Sequence, residues 1–257
     1  MKYLVSFIIK RIPRKYLQLF SHIALKVIAI FYAGSKVVCP VCDKGFRKFV
    51  PYGRVSRENA LCPNCLALER HRVIWVYLKE KTDFFTSTKR ILHIAPEACF
   101  IDRFEKIHGE NYITADLESP LAKVKMDIHE MPFDDNSFDV VICNHVMEHV
   151  KDDIQAMKEI LRVLKPASGF AIIQIPFFVP VPEVTKEDPT VTDPQERYNA
   201  FGQEDHVRMY GWDYPDRLRS AGFEVKEDEF VKEIDESVRK KHALLETETI
   251  YYCTKPE

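Results

Sequence analysis

Four cysteines offer the plainest chemistry in this chain: Cys39-Pro-Val-Cys42 and Cys62-Pro-Asn-Cys65, with nineteen residues between Cys42 and Cys62. Each CxxC turn sets two thiolates on one side of a tight loop. Two such turns supply four soft ligands for a tetrahedral zinc site. With sulfur at all four positions no coordination site stays open, so a structural or docking zinc is expected. The spacing predicts a zinc ribbon over residues 37–72, with Phe46 to Pro51 as a hairpin strand. A redox pair or an iron–sulfur cluster fits a duplicated C-P-x-C less well. Cys99, Cys143 and Cys253 lie in apolar surroundings and read as buried reduced thiols. Together the cysteines suggest a reducing, cytoplasmic compartment.

A second concentration of reactive side chains runs from Arg197 to Gly211. His206 is the first candidate for a general base that takes a proton from a substrate hydroxyl. Arg197, Arg208 and Tyr210 are candidates for orienting an anionic or sugar-like acceptor. The same segment also reads as a structural latch. Arg70-His71-Arg72 offers either a spare metal ligand in His71, a basic face toward a cleft, or a salt-bridged joint.

These groups need a frame. Arg90 to Ala95 reads as a first buried strand, Asn111 to Asp116 as a second, Val124 to Met126 as a short third and Phe138 to Cys143 as a fourth. A helix-period segment then leads through Lys165-Pro-Ala-Ser-Gly169 into a fifth apolar run, Phe170 to Ile175. Buried β-type runs alternating with helices are the pattern of a parallel α/β sheet. Tyr214 to Ala221, closed by Gly222, is a further helix. Phe223 to Val225 begins a sixth strand, and Glu246 to Thr254 alternates as a last one. Asp116 lies about twenty residues past the first strand's turn, where doubly wound sheets place a carboxylate on ribose hydroxyls. A loop aspartate capping a turn is the other account. Asn144 and His145 follow the fourth strand, at the end where such sheets bind ligands. Five prolines between Pro176 and Glu196 predict an irregular loop, part of a lid at 176–211.

The stretch Met126 to Pro176 says more than fold. An acid at Asp127, then P-F-D-D-N-S-F-D-V-V from Pro132, V-M-E-H-V from Val146 and L-K-P-A-S-G from Leu164 follow in that order. This stretch resembles the second half of class I S-adenosylmethionine (SAM)-dependent methyltransferases. With C-P-x-C, A-L-C-P-x-C-x-x-L-E-R-H-R, L-H-I-A-P-E and D-H-V-R-x-Y-G, the chain from Val38 to about Tyr252 is similar to a bacterial subgroup of zinc-ribbon methyltransferase-domain proteins. The resemblance implies a doubly wound, seven-stranded Rossmann-like α/β sheet within 73–257, and SAM as cofactor. It implies cofactor contacts from His93, Ala95, Glu97, Asp116, Leu117, Asp127, Ile128 and Asn144, with Asp127 and Ile128 flanking the adenine. His145 joins His206 as a catalytic candidate, and Glu148-His149 opens the next helix. One turn departs from the family, which has D-x-G-x-G-x-G where this chain has His93-Ile-Ala-Pro-Glu-Ala-Cys99. Glu97 then either holds the ammonium of SAM in place of the usual acid, or the site binds SAM poorly and the fold serves another purpose.

Composition bounds the rest. The 257 residues are 46% hydrophobic and 30% charged with a net charge of −2, which lacks the electrostatic footprint of a nucleic-acid binder. The first 38 residues differ, holding Lys2, Lys10, Arg11, Arg14, Lys15, Lys26 and Lys36 and no acid. Phe20, Ile23, Ala24, Val27, Ile28 and Phe31 share one helical face. Residues 1–36 therefore read as an amphipathic helical extension, either packed on the body or peripheral on an anionic inner membrane surface. Neither a signal peptide nor a spanning helix is expected there. The favoured reading is methyl transfer from SAM to an oxygen of a small-molecule, saccharide or lipid-linked acceptor. An RNA base methyltransferase and a non-catalytic scaffold with a degenerate SAM site are its rivals.

Overall fold

The computed structural model describes residues 28–53 and 55–257. The basic, apolar face read from the sequence lies largely outside the described residues. Residues 28–32 are helical and the chain becomes extended at Ala33. Among the described residues no helix is long and apolar enough to cross a membrane.

Two compact units divide the chain. The first runs to Thr82 and takes in Val231–Glu248. In it β1 (Ala33–Val38) pairs antiparallel with β2 (Gly45–Phe46), and β3 (Val50–Tyr52) with β4 (Arg57–Leu61). Helix α1 (Glu69–Lys81) follows directly from the second cysteine pair. Its first turn is closed from within: His71 Nδ1 accepts the Leu68 N–H at 3.1 Å, one half of a capping box. His71 is thereby a helix cap, and Arg72 is fully buried. Arg72 donates to the carbonyls of Asn59, Ala60, Ala67 and Ala243 at 2.8–3.3 Å and lies over the Phe49 ring at 4.5 Å. A planar five-donor fork suits such a hub.

The second unit, Asp83–Phe230 with Thr249–Glu257, is the α/β body. Its elements are β5 (Ile91–Ile94), α2 (Ala98–His108), β6 (Tyr112–Asp116), β7 (Val124–Lys125), β8 (Val140–Asn144), α3 (Asp153–Val163), β9 (Phe170–Gln174), β10 (Lys186–Glu187), α4 (Pro194–Phe201), β11 (Arg208–Met209), α5 (Tyr214–Ser220), β12 (Glu224–Asp228) and β13 (Ile250–Thr254). The seven-stranded sheet has the order β12-β13-β9-β8-β5-β6-β7, with β13 antiparallel to both neighbours and the other six strands running in one direction. This is the doubly wound sheet the resemblance implies. The order reverses beside β5, and the crevice at that switch point is where open α/β sheets bind ligands. Strands β5, β8 and β9 are buried along their whole length, as their unbroken apolar runs require. Ala156, Met157, Ile160 and Val163 turn one face of α3 onto them.

Local differences from the sequence reading have physical causes. Glu148 and His149 precede α3 in a turn, because Asp152 is the residue that caps the helix, accepting the Gln155 N–H at 2.9 Å. The proline-rich stretch ends in a helix: Pro194 sits at the first helical position, where a missing N–H costs nothing, and Asp193 caps it. The insertion is strapped at both ends. Strands β10 and β11 pair antiparallel, Trp212 N–H donates to Pro182 O at 2.9 Å, and Thr185 donates twice to Asp213 Oδ1 at 2.7 Å. Gly211 permits this approach, since a Cβ there would come within 2.7 Å of Pro182 O.

Candidate active site and metal centre

In the first unit the two cysteine turns are near copies. Asp43 N–H donates to Cys39 O at 2.8 Å and Leu66 N–H to Cys62 O at 2.9 Å. Asp43 and Leu66 both take left-handed backbone, with φ of 55° and 66°. The turns bring Cys39 Sγ to 3.6 Å from Cys65 Sγ and Cys42 Sγ to 3.8 Å from Cys62 Sγ. A tetrahedron with metal–sulfur bonds of about 2.3 Å has edges of about 3.8 Å. Those two edges match such a tetrahedron, and all four sulfurs lie within 4.8 Å of one another. Burial lowers the Arg72 pKa, while Cys39, Glu69, Cys62 and Cys65 act against it. The guanidinium in turn offsets the negative charge that four thiolates would concentrate there.

In the second unit His93, Ala95 and Glu97 lie at the carboxyl end of β5, Asp116 and Leu117 at that of β6, Asn144 at that of β8, and Asp127 and Ile128 just past β7. The turn after β5 has Ala95 at φ 50°, so alanine adopts the left-handed backbone usually left to glycine. That turn carries Glu97 back over the strand end. Its Oε2 lies 2.6 Å from His93 Nε2, and its Oε1 accepts from Asn144 Nδ2. His93 is wholly buried, and its Nδ1 lies 2.7 Å from the Tyr112 hydroxyl. Burial, with Glu97 nearby, pushes the Tyr112 phenol up, so it stays a donor and leaves His93 Nε2–H to donate to Glu97. A relay from β6 through β5 to β8 therefore fixes one carboxylate at the switch point. Asn144 Oδ1 beside it is buried and has no protein partner among the described residues. Glu97 and Asn144 Oδ1 together present acceptors that suit an ammonium group.

Asp116 and Asp127 share one design. Asp116 Oδ1 accepts the N–H groups of Glu118 and Ser119 at 2.7 and 2.6 Å. Asp127 Oδ1 accepts from His129 N–H at 2.9 Å and lies 2.6 Å from His129 Nδ1. These bonds, the backbone one first, hold the Asp127 carboxyl below its usual range. Each acid caps its own turn with one oxygen and keeps Oδ2 for another partner, so turn cap and ligand contact are compatible. Ile128 is buried and Leu117 is exposed next to Asp116.

His145 follows β8 with φ 58°, its N–H held by Gln174 O at 2.8 Å and its Nδ1 3.5 Å from Glu148 Oε1. Its side chain is 23% exposed. His206 is fully buried against the rings of His149 and Phe178, so it is not placed to take a proton directly from a solvent-borne hydroxyl. Arg208 and Tyr210 do not orient an acceptor. Arg208 donates to the carbonyls of Met147, Val150 and Lys151 and to Glu187, and Tyr210 donates to Asp153 Oδ2 at 2.7 Å. Both are buried and clamp the insertion onto the turn before α3. Arg197 donates to Val191 O at 3.1 Å within the insertion. Nothing in the sequence singled out Tyr112 as the far end of the His93 relay, or Glu148 as a buried carboxylate.

Residues 78–172 match the methyltransferase domain family, a span that holds the His93 relay, both turn-capping acids and Glu148. This segment is a class I, SAM-dependent methyltransferase domain. Over 51 residues the chain is 45% identical to cycloartenol-C-24-methyltransferase 1 of Oryza sativa subsp. japonica, covering 20% of this chain and 15% of that protein. Over 126 residues it is 31% identical to sterol 24-C-methyltransferase of Kluyveromyces lactis, covering 48% and 32%. The methyltransferase domain here thus spans at most about a third of these curated relatives' lengths. The solved YcgJ protein of Bacillus subtilis aligns over 66% of this chain and 93% of its own, at 16% identity and a TM-score of 0.42.

Proposed function

We propose that this protein transfers a methyl group from SAM to an oxygen of a small-molecule, saccharide or lipid-linked acceptor, and that a zinc ion held by Cys39, Cys42, Cys62 and Cys65 stabilises its first unit. The observation that carries the reading is the paired acceptor set of Glu97 and Asn144 Oδ1 at the switch point. It answers the missing glycines with a carboxylate for the ammonium of SAM. Asp116 Oδ2 then takes ribose hydroxyls, Asp127 Oδ2 the adenine amine, and Ile128 and Leu117 the faces of the base. SAM supplies an already activated methyl group on a sulfonium, so positioning of the acceptor is a large part of the task left to the chain. His145 takes the acceptor's proton on this reading, which its partial exposure just past the end of β8 supports.

Titration calorimetry of the full chain with SAM and with its demethylated product tests the reading. Saturable binding of both supports it. No binding at millimolar ligand would leave the scaffold reading standing. Metal analysis tests the zinc, and about one zinc per chain is expected. A carbon acceptor is the second reading, favoured by the names of the sterol methyltransferases matched above. A near-neutral charge argues against RNA. The acid-free basic start of the chain supports a peripheral place on anionic membranes, which co-sedimentation with anionic against neutral vesicles would test.

A further inference from the structure

We propose that Glu148, His149 and His206 form a second metal site, distinct from the four cysteines, that takes a divalent transition-metal cation at the carboxyl end of β8. One carboxylate oxygen and one nitrogen from each imidazole lie within 4.8 Å of one another. A cation about 2.1 Å from each would draw them to about 3.0–3.5 Å apart, a closure that small side-chain rotations supply.

The surrounding groups are arranged as ligand supports are. His149 Nε2 faces Glu148 Oε1 at 3.9 Å, while its Nδ1 faces the Asp205 carboxylate at 3.6 Å and the Asp205 carbonyl at 3.3 Å. A carboxylate behind the far nitrogen of a histidine is what fixes the tautomer of a metal ligand. His145 Nδ1 stands 3.5 Å from Glu148 Oε1. The two segments that carry the donors are locked in register. Val207 N–H donates to Glu148 O at 2.9 Å, and the Arg208 and Tyr210 bonds to 147–153 hold the same joint. The backbone that carries the donors is therefore fixed, and only side-chain rotation is needed to close on an ion.

The donor set also indicates the ion. Two imidazoles and one carboxylate suit zinc, iron, cobalt or manganese better than calcium or magnesium, and three ligands leave coordination positions open. Glu148 and His206 form the buried end of the site, while the His149 side chain is 37% exposed and gives the site a solvent-side edge. On the methyl-transfer reading, from which this role follows, those positions would hold an acceptor oxygen and lower its pKa. Acceptors with a hydroxyl beside a second oxygen ligand would be favoured.

The test uses the full chain with its cysteine site already filled with zinc, titrated with Mn2+ and separately with Co2+. Electron paramagnetic resonance follows Mn2+, and visible absorption reports a nitrogen–oxygen Co2+ site. About one further ion per chain is expected, bound about tenfold or more weakly in His149→Ala and in Glu148→Gln. His149 is partly exposed, so its loss should leave circular dichroism unchanged even where a His206 variant fails to fold. No saturable binding of either ion beyond the zinc, or binding unchanged in both variants, overturns the site. SAM calorimetry on the same samples reports the cofactor end separately, so failure of the metal site and failure of the transferase reading are distinguishable.

Discussion

Glu97→Gln is the sharpest probe of the cofactor end. The substitution keeps shape and removes charge. A hydrogen bond to a charged partner contributes about 1.5–3 kcal/mol, so SAM binding should weaken by about 10- to 150-fold. The surroundings push the effect toward the upper part of that range. Glu97 now accepts from both His93 Nε2 and Asn144 Nδ2. An amide offers one acceptor and one donor, so its NH2 would meet a donor on one side. Turning Asn144 over would relieve that conflict, but its Nδ2 and not its Oδ1 would then face the ammonium. Calorimetry should compare SAM with methylthioadenosine, which shares the nucleoside but lacks the amino-acid portion. SAM should lose affinity and methylthioadenosine should not. If Glu97→Gln binds SAM within about threefold of wild type, or weakens both ligands equally, the ammonium assignment is wrong.

Three further outcomes follow from features of the packing. Arg72→Met strands four backbone carbonyls beside the cysteine cluster and should cost about 3–5 kcal/mol in urea melts of the first unit, with Arg72→Lys recovering little of it; a loss under about 1 kcal/mol would contradict the hub role. Ala95→Gly exchanges about 1 kcal/mol of left-handed strain for a similar entropic cost and should leave the melting temperature nearly unchanged, whereas Ala95→Val should lower it clearly; equal losses would show that Ala95 is not held at positive φ. Burial alone raises the Asp153 pKa, but the Arg217 hydrogen bond, the Arg208 charge and the Tyr210 hydroxyl outweigh it and hold the carboxyl below its usual range. Its stabilisation is full above the unfolded value of about 3.9 and is lost as pH falls through the folded value. The stability gap between wild type and Asp153→Asn should therefore narrow below about pH 4, and a gap constant from neutral to acid pH would refute this.

The sheet was legible because burial on both faces leaves unbroken apolar runs, and the runs at 90–95, 111–116 and 170–175 each contain an observed strand, while that at 138–143 stops one residue short of the end of β8. The acids at strand ends were legible for the same reason: a polar residue that stops such a run must sit at its rim. Buried polar chemistry was harder to read. Arg72 and Arg208 look like any exposed arginine in a sequence, since carbonyls that satisfy them include ones from backbone distant in the chain, Ala243 for Arg72 and Met147 for Arg208. His206 sits among polar neighbours, so its complete burial follows only from the straps that fold 176–211 onto the turn before α3. The start of α3 was misplaced because its apolar periodicity extends back through Val146 and Val150, while the side chain that ends the turn is Asp152.

The paired straps of the insertion make one stretch of chain replaceable. Pro182, Thr185 and β10 on the way out are bonded to β11, Trp212 and Asp213 on the way back. Everything between Glu187 and Asp205 thus hangs from a closed base, as a hypervariable loop hangs from its framework. Residues could be added, lost or recast there without disturbing the sheet or the relay that grips Glu97. On the proposed reading, a lineage could change its acceptor by rewriting that cassette while inheriting the cofactor end intact, and a protein engineer could graft along the same boundaries.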